Sequence, residues 1–254
     1  MPAEPLTIVT AMAIALLAGV TRGYCGFGFA MLVALGLSGF MAPVEAVPVA
    51  LLLDLLAAAG LLQVAARHAH RRVLGRLVLG MLLAVGLGVW LLSRMPAAPM
   101  RMVIALLSLS GGMALLCRVG RRDVVPEEGR SATAGRWAIW AGGVSGLAMS
   151  MASAGGPPLM LYLLSTRLST AQLRGTAIVF FAICSSCSLL GLGLSGVLGA
   201  GSLVWVGWLI VPAWLGNAFG QWLFHRAGPI SLRYTVAPLL ILLSLWMLLP
   251  INTP

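Results

Sequence analysis

Two charged residues stand inside long apolar stretches of the sequence, and both could do chemistry there. Arg22 lies in Gly19–Ala30, which reads GVTRGYCGFGFA, and Asp54 lies roughly 16 Å along a helix that we predict to start at Pro43. A charge in the bilayer core is costly unless it has a partner or a function, and a guanidinium offers a planar fork of N–H donors that suits sulfonate or carboxylate oxygens. We therefore predict that Arg22 binds an anion and that Asp54 couples this binding to protons.

Each of these two residues also has a purely structural interpretation. Arg22 could extend its side chain to the membrane interface, and Asp54 could only join two helices through a hydrogen bond or an ion pair. In the coupling hypothesis an ionised Asp54 occupies the guanidinium and repels an anion, whereas protonation of Asp54 frees the guanidinium. That hypothesis requires Arg22 and Asp54 to meet.

Glycine clusters predict two breaks in the helical sequence, at Gly19–Ala30 and at Ala154–Pro158. Glycine costs about 1 kcal/mol relative to alanine inside a helix, and unwound backbone survives in a bilayer only where protein or a water-filled cavity covers it. Short helices that start after the breaks, at Phe27 and Pro157, would present free N–H groups to an anion. The substrate-binding residues that we predict at the breaks are Arg22, Gly23, Gly26, Gly28, Ser153, Gly155, Gly156 and Pro157.

Weaker candidates are uncharged. Asn217 and Gln221, one helical turn apart, could bind substrate along the pathway or could only hydrogen-bond between helices. Several serines are neutral donors suited to a small anion, although serine is also common in tight membrane packing: Ser145, Ser150, Ser153, Ser185 and Ser188. A metal site would need at least three convergent ligands, which we do not find in the sequence, so we predict neither a metal nor a cofactor.

Composition indicates the class of protein. The 254 residues are 60% hydrophobic and 9% charged, whereas a soluble domain carries about 25% charged residues. We therefore predict an all-α polytopic membrane protein. The net charge of +10 comes from sixteen arginines, with no lysine, against six acids. Because the arginines stand at the ends of apolar segments, they indicate topology signals and lipid phosphate contacts rather than nucleic-acid binding.

Several other functions lack a signature in the sequence. There is no P-loop, zinc-protease motif or nucleophile elbow, so we predict neither ATP-driven transport nor an enzyme. Cys184-Ser-Ser-Cys187 matches C-x-x-C, but it lies in an apolar segment, where small residues at a helix contact are the simpler interpretation. The N-terminal MPAEPLT has no basic residue, which argues against a cleaved signal peptide.

The two halves of the sequence resemble each other. Residues 88–94 (GVWLLSR) align with residues 220–226 (GQWLFHR) at an offset of 132, and Arg101 then falls on Arg233. We infer an internal duplication. It predicts a first transmembrane repeat at 1–117, a cytoplasmic linker at 118–134 and a second transmembrane repeat at 135–254.

The arginines favour an inverted arrangement of these repeats. If each broken segment enters the membrane and returns, the loops on one side carry thirteen arginines and those on the other side carry two; a single crossing gives nine against six. The positive-inside rule favours the first arrangement. It predicts two inverted-topology repeats with both termini in the periplasm, each with a glycine-broken short-helix hairpin plus three spanning helices. Inverted repeats with broken helices are typical of secondary transporters.

Three features of the sequence together resemble the sulfite exporter TauE/SafE family, also called the 4-toluene sulfonate uptake permease (TSUP) family. They are the paired glycine-rich breaks, AGGPPLMLYLL (Ala154–Leu164) and WLGNAFGQWLFHRAGPISLRYTVAPLLILL (Trp214–Leu243). The resemblance covers nearly the whole chain. It implies a multi-pass carrier of the bacterial inner membrane that exports sulfite, a sulfonate such as sulfoacetate, or another small anion, driven by an ion gradient such as protons.

The alternative function is a non-transporting assembly or maturation factor that binds a partner protein. A carrier requires polar groups along a path through the membrane, whereas a scaffold has a dry core and polar groups that face its partner. A homo-oligomer is compatible with either function.

Overall fold

The computed structural model describes residues 5–118, 134–166 and 168–227, together with residues 241–242 and 244–245. These residues form helices joined by short turns, which confirms the all-α prediction. The helices are α1 (Pro5–Cys25), α2 (Phe29–Leu37), α3 (Pro43–His68), α4 (Arg71–Arg94), α5 (Ala97–Arg118), α6 (Ala134–Ala152), α7 (Gly156–Leu163), α8 (Thr170–Leu194) and α9 (Ala200–Ala227).

The longer helices are membrane-spanning by length and by surface. In the described residues, five helices are long and apolar enough to cross a membrane, namely α1, α3, α4, α8 and α9. Their outward faces carry large apolar side chains that are more than half exposed, among them Leu83, Trp90, Val211 and Trp214. Apolar surface on this scale marks a membrane interface. The prediction of a multi-pass membrane protein is confirmed.

The first break is narrower than the predicted range of Gly19–Ala30. Helix α1 continues past Arg22, and only residues 26–28 interrupt the helical backbone before α2. Gly26 and Gly28 have φ angles of 85° and 90°, in the left-handed region that favours glycine. The prediction that the short helix starts at Phe27 was wrong by two residues, because Gly28 must first turn the chain.

The second break occupies residues 153–155. Pro157 stands in the first turn of α7, as predicted, where its missing N–H costs nothing. The prediction of two short helices in each hairpin was wrong. The first helix of each hairpin is long, with 21 residues in α1 and 19 in α6, whereas α2 has 9 and α7 has 8.

Helix α1 is long because its glycines serve a helix contact rather than a break. A Cβ at Gly19 would lie 2.9 Å from the amide nitrogen of Asn217, and a Cβ at Gly220 would lie 2.9 Å from that of Tyr24. Small residues one turn apart allow such close approach of two backbones in a membrane. Later residues of α1 meet later residues of α9 along this contact, so the two helices run parallel.

Helices α4 and α6 form a second contact of the same kind. A Cβ at Gly80 would lie 2.9 Å from the amide nitrogen of Gly143, and a Cβ at Gly88 would lie 2.8 Å from the carbonyl oxygen of Leu147. These two helices are therefore also parallel. In each pair a helix of the first half of the chain packs against a helix of the second half.

Helices α3 and α8 join the two halves in an antiparallel pair. The backbone N–H of His70, just after α3, donates a hydrogen bond of 3.0 Å to the Thr176 hydroxyl near the start of α8. A Cβ at Gly175 would lie 2.7 Å from the carbonyl oxygen of Ala65. The end of α3 therefore meets the start of α8.

These directions make both broken hairpins return to the side on which they start. Short turns connect α3 to α4 and α8 to α9, so α4 and α9 are antiparallel to each other. Because α1 is parallel to α9, it starts on the side where α3 starts. Because α6 is parallel to α4, it starts on the side where α8 starts. Each hairpin therefore enters the helical bundle and comes back.

Two predicted segments lie almost entirely outside the described residues. They are the linker at 118–134 and the sequence after Ala227, in which the third spanning helix of the second repeat is predicted. The predicted boundary between the repeats therefore stays a prediction, as does a third spanning helix in the second repeat.

Candidate functional site

Arg22 and Asp54 meet inside the helical bundle. Arg22 Nη1 donates a hydrogen bond to Asp54 Oδ1, and the two side chains form an ion pair with exposed fractions of 1% and 4%. Arg22 stands one turn before the end of α1, and Asp54 stands near the middle of α3. The alternative in which Arg22 extends to the membrane interface is wrong, because its guanidinium is fully buried beside its partner.

Asp54 has a second partner, on a third helix. Ser185, on α8, donates a hydrogen bond of 3.0 Å from its hydroxyl to Asp54 Oδ2. Both carboxylate oxygens of Asp54 therefore accept hydrogen bonds, one from α1 and one from α8. This arrangement fixes the carboxylate and, through it, the guanidinium of Arg22.

The remaining donors of Arg22 are buried without a protein partner. Arg22 Nε and Nη2 have no hydrogen-bond partner among the described residues, and these two nitrogens form one edge of the guanidinium plane. The ring of Phe29 lies near the group, with its centroid 5.8 Å from Arg22 Cζ. A buried donor without a partner costs about 1–3 kcal/mol. Two such donors on one edge match the spacing of two oxygens on an oxyanion.

Arg174 holds the first break in place. Its Nη2 donates a hydrogen bond of 3.0 Å to the carbonyl oxygen of Gly23, and its Cγ lies 3.0 Å from the position of a Cβ at Gly26. A cation at a helix C-terminus satisfies carbonyls that have no partner within the helix. Arg174 is one of the thirteen arginines that the charge pattern of the sequence places in loops. The sequence does contain a signal that Arg174 is helical. Ser169 and Gln172 form a capping box, which starts α8 before Arg174.

The second break is uncharged and tightly packed. The Ser145 hydroxyl donates a hydrogen bond to the carbonyl oxygen of Gly155. Ser153 has a φ angle of 54°, and its buried hydroxyl has no hydrogen-bond partner among the described residues. A Cβ at Gly156 would lie 3.2 Å from Cδ2 of Phe27. Phe27 of the first break therefore lies against Gly156, the first residue of α7 after the second break.

The two polar residues of α9 lie along α1. A Cβ at Gly23 would lie 2.8 Å from the amide nitrogen of Gln221, whose side chain is half-buried. Asn217 is buried, and its Oδ1 has no hydrogen-bond partner among the described residues. Asn217 and Gln221 therefore lie next to α1, the helix that carries Arg22, because the backbones of α1 and α9 are in contact.

A multi-helix membrane fold with a buried ion pair beside a helix break is typical of membrane transporters. Residues 11–247 match the sulfite exporter TauE/SafE family, and the chain belongs to that family. It is a family of membrane transporters of sulfur anions and not a class of enzyme. The resemblance seen in the sequence is confirmed. No curated protein and no solved structure matches the chain.

Proposed function

We propose that this protein is a secondary transporter that binds a small sulfur oxyanion at Arg22 and exports it across the bacterial inner membrane. The substrate is sulfite or a sulfonate such as sulfoacetate. The observation that carries the proposal is the edge of Arg22 formed by Nε and Nη2, which is buried and has no hydrogen-bond partner among the described residues. The matched family is described as sulfite exporters, which gives the expected direction of transport.

The surroundings of Arg22 support an anion at this edge. Helix α2 begins at Phe29, whose ring lies beside the guanidinium. The first N–H groups of a helix have no partner within it and carry partial positive charge, so the start of α2 adds donors for an anion. Polar groups inside the bundle fit a carrier better than an assembly factor, whose polar groups would face a partner protein.

We also propose that the two halves of the chain are inverted repeats. The support comes from helix direction: α3 and α8 are antiparallel, α4 and α9 are antiparallel, and α1 runs opposite to α6. Three described helices of the first half, α1, α3 and α4, thus run against their counterparts in the second half. This relation is the one that inverted-topology transporters show.

The arginines give the orientation of these repeats. We define the basic side as the side on which α3 and α9 end and α4, α6 and α8 begin. Eight described arginines stand near helix ends on the basic side, where α5 also ends, and two, Arg94 and Arg101, stand on the opposite side: the eight are Arg67, Arg71, Arg72, Arg76, Arg118, Arg136, Arg174 and Arg226. The positive-inside rule assigns the basic side to the cytoplasm and the N-terminus to the periplasm.

The orientation can be tested with membrane-impermeant thiol reagents on intact cells. In a background without the native cysteines, Ser195→Cys and His68→Cys each place a thiol at an exposed end of a helix. Ser195→Cys should label from outside, and His68→Cys should label only after the membrane is opened. Equal labelling of both positions from outside would exclude the inverted arrangement.

The function can be tested in proteoliposomes loaded with labelled sulfite or sulfoacetate. Arg22→Gln should reduce the transport rate at least tenfold, since it removes the charged donor edge. Arg94→Gln is the matched control, because Arg94 is exposed at the end of α4 and should keep the wild-type rate. Wild-type protein that moves neither anion, or Arg22→Gln protein that moves them normally, would exclude the proposal. Coupling to protons through Asp54 stays a prediction.

A further inference from the structure

We infer that Asp54 makes the Arg22 site selective for singly charged oxyanions over doubly charged ones. The inference rests on the proposed function, because it concerns the charge of the anion that Arg22 binds. It assigns to Asp54 a role in specificity that does not depend on proton movement. The preferred substrates would be sulfonates and bisulfite, and sulfate or the sulfite dianion would bind weakly.

The geometry lets Asp54 and an anion share Arg22. Asp54 uses only Nη1 of the guanidinium, and its other oxygen accepts from Ser185. The edge formed by Nε and Nη2 stays open on a different part of the same planar group. An arriving anion therefore does not have to displace Asp54, in contrast to the competition that the coupling hypothesis assumed.

The charges explain the selectivity. Asp54 is the one buried carboxylate in the described part of the chain, and its negative charge beside Arg22 opposes the attraction of the guanidinium for an anion. Attraction to a fixed charge grows in proportion to the charge of the anion, whereas the cost of removing an ion from water grows with its square. A monoanion can meet this cost with two charge-assisted hydrogen bonds. A dianion meets a cost about four times larger with only about twice the attraction.

The apolar surroundings increase the penalty on a dianion. Phe27 and Phe29 have exposed fractions of 1% and 0%, so the rings beside the first break exclude water that would otherwise hydrate the second charge. Charges in such a site are also screened less than charges at a surface. Removal of the Asp54 charge should therefore favour a dianion more than a monoanion.

Methanesulfonate and sulfate form a suitable pair of probes, because a methyl group replaces one oxygen and the charge changes from two to one. Their dissociation constants should be measured on purified protein in detergent, at equal ionic strength, for wild type and for Asp54→Asn. Wild type should bind methanesulfonate at least tenfold more tightly than sulfate. In Asp54→Asn this ratio should fall by roughly tenfold to fiftyfold, the range expected for one charge about 7 Å away at an effective dielectric constant of about 20.

Glu45→Gln is the matched control, since Glu45 is the other described acid on α3 and is exposed in its first turn. It should leave the ratio within about twofold of wild type. A purely structural role of Asp54 would weaken both anions alike and would not move their ratio. An unchanged ratio in Asp54→Asn overturns the inference.

Wild-type protein alone also tests the inference, in case Asp54→Asn does not fold. Wild type that binds sulfate as tightly as methanesulfonate overturns the selectivity, whatever the variant does. The proposed function has a separate test in the same assay. If Arg22→Gln binds methanesulfonate as tightly as wild type, the anion site itself is wrong, whereas loss of binding in Arg22→Gln with an unmoved ratio in Asp54→Asn overturns the selectivity alone.

Discussion

The two helix breaks have the same position in their hairpins but differ in charge and in how they use glycine. The first break follows Arg22 and turns at two left-handed glycines, Gly26 and Gly28. In the second break the left-handed residue is Ser153, while Gly155 has an ordinary helical φ angle of −69°. Gly155 is needed for space, because a Cβ there would lie 2.6 Å from the carbonyl oxygen of Ser145. A duplicated hairpin can thus keep its shape while glycine meets a different requirement in each copy.

The helices that follow the two hairpins, α3 and α8, also differ in charge. Asp54 is the twelfth residue of α3, and Phe181 is the twelfth residue of α8. Asp54 binds Arg22, whereas the ring of Phe181 packs edge-on against Phe180 with centroids 5.8 Å apart. The described core therefore holds a charged pair on one side of the duplication and an aromatic pair on the other. This asymmetry suits one anion per protein.

The largest expected effect concerns the ion pair at the first break. Arg22→Gln leaves Asp54 buried without its counter-charge and should lower the free energy of unfolding by about 3–5 kcal/mol. The double variant Arg22→Gln/Asp54→Asn should recover most of this loss, because it leaves no buried charge unpaired. Unfolding by SDS titration from mild detergent would measure both. If the loss in the double variant equals the sum of the losses in Arg22→Gln and Asp54→Asn, the two charges do not stabilise each other, and the charged pair is not what distinguishes the first break.

A second, smaller effect distinguishes the two uses of glycine. At Gly26 the left-handed φ angle should make Ala cost about 1–2 kcal/mol. The atoms nearest to a Cβ there belong to the long side chain of Arg174, which can shift, so Asn should cost less than Ala because it tolerates the left-handed region. At Gly155 the backbone is unstrained but crowded, so the larger Asn should cost more than Ala.

The order of Ala and Asn should therefore reverse between the two breaks, as measured by the free energy of unfolding. Gly60→Ala and Gly60→Asn are the controls, since a Cβ at Gly60 meets nothing within 4 Å. The same order at Gly26 and Gly155 would contradict the distinction.

The sequence singled out Arg22 and Asp54 because burial of charge is costly wherever it occurs, and it left open whether the two residues meet. Arg22 and Asp54 each needed a partner, and each is the other's partner in the structure. Pro157 predicted the start of α7 because proline restricts the backbone locally. These are properties of the residues themselves, so they can be inferred without the fold.

The extent of the first break could not be predicted from the sequence. Gly23 and Gly26 are the same residue type three positions apart, yet Gly23 continues α1 and Gly26 ends it. The difference depends on partners distant in the sequence, since Gln221 packs against Gly23 and Arg174 lies over Gly26. The role of Arg174 was missed for the same reason, because its acceptor is a backbone carbonyl on another helix.

The smallest expected effect asks whether the second break also binds the anion. Ser153 is the one described non-glycine residue with a positive φ angle, and its buried hydroxyl has no hydrogen-bond partner among the described residues. Ser153→Gly relieves the left-handed strain, whereas Ser153→Ala keeps it, so the glycine variant should be more stable than the alanine variant by up to about 1 kcal/mol.

Both variants remove the hydroxyl. If the hydroxyl donates to the anion, both should weaken methanesulfonate binding by a similar factor, about threefold to tenfold for one neutral hydrogen bond. Unchanged affinity in both variants would mean that the second break only supports the first, and that Arg22 and the start of α2 bind the anion without it.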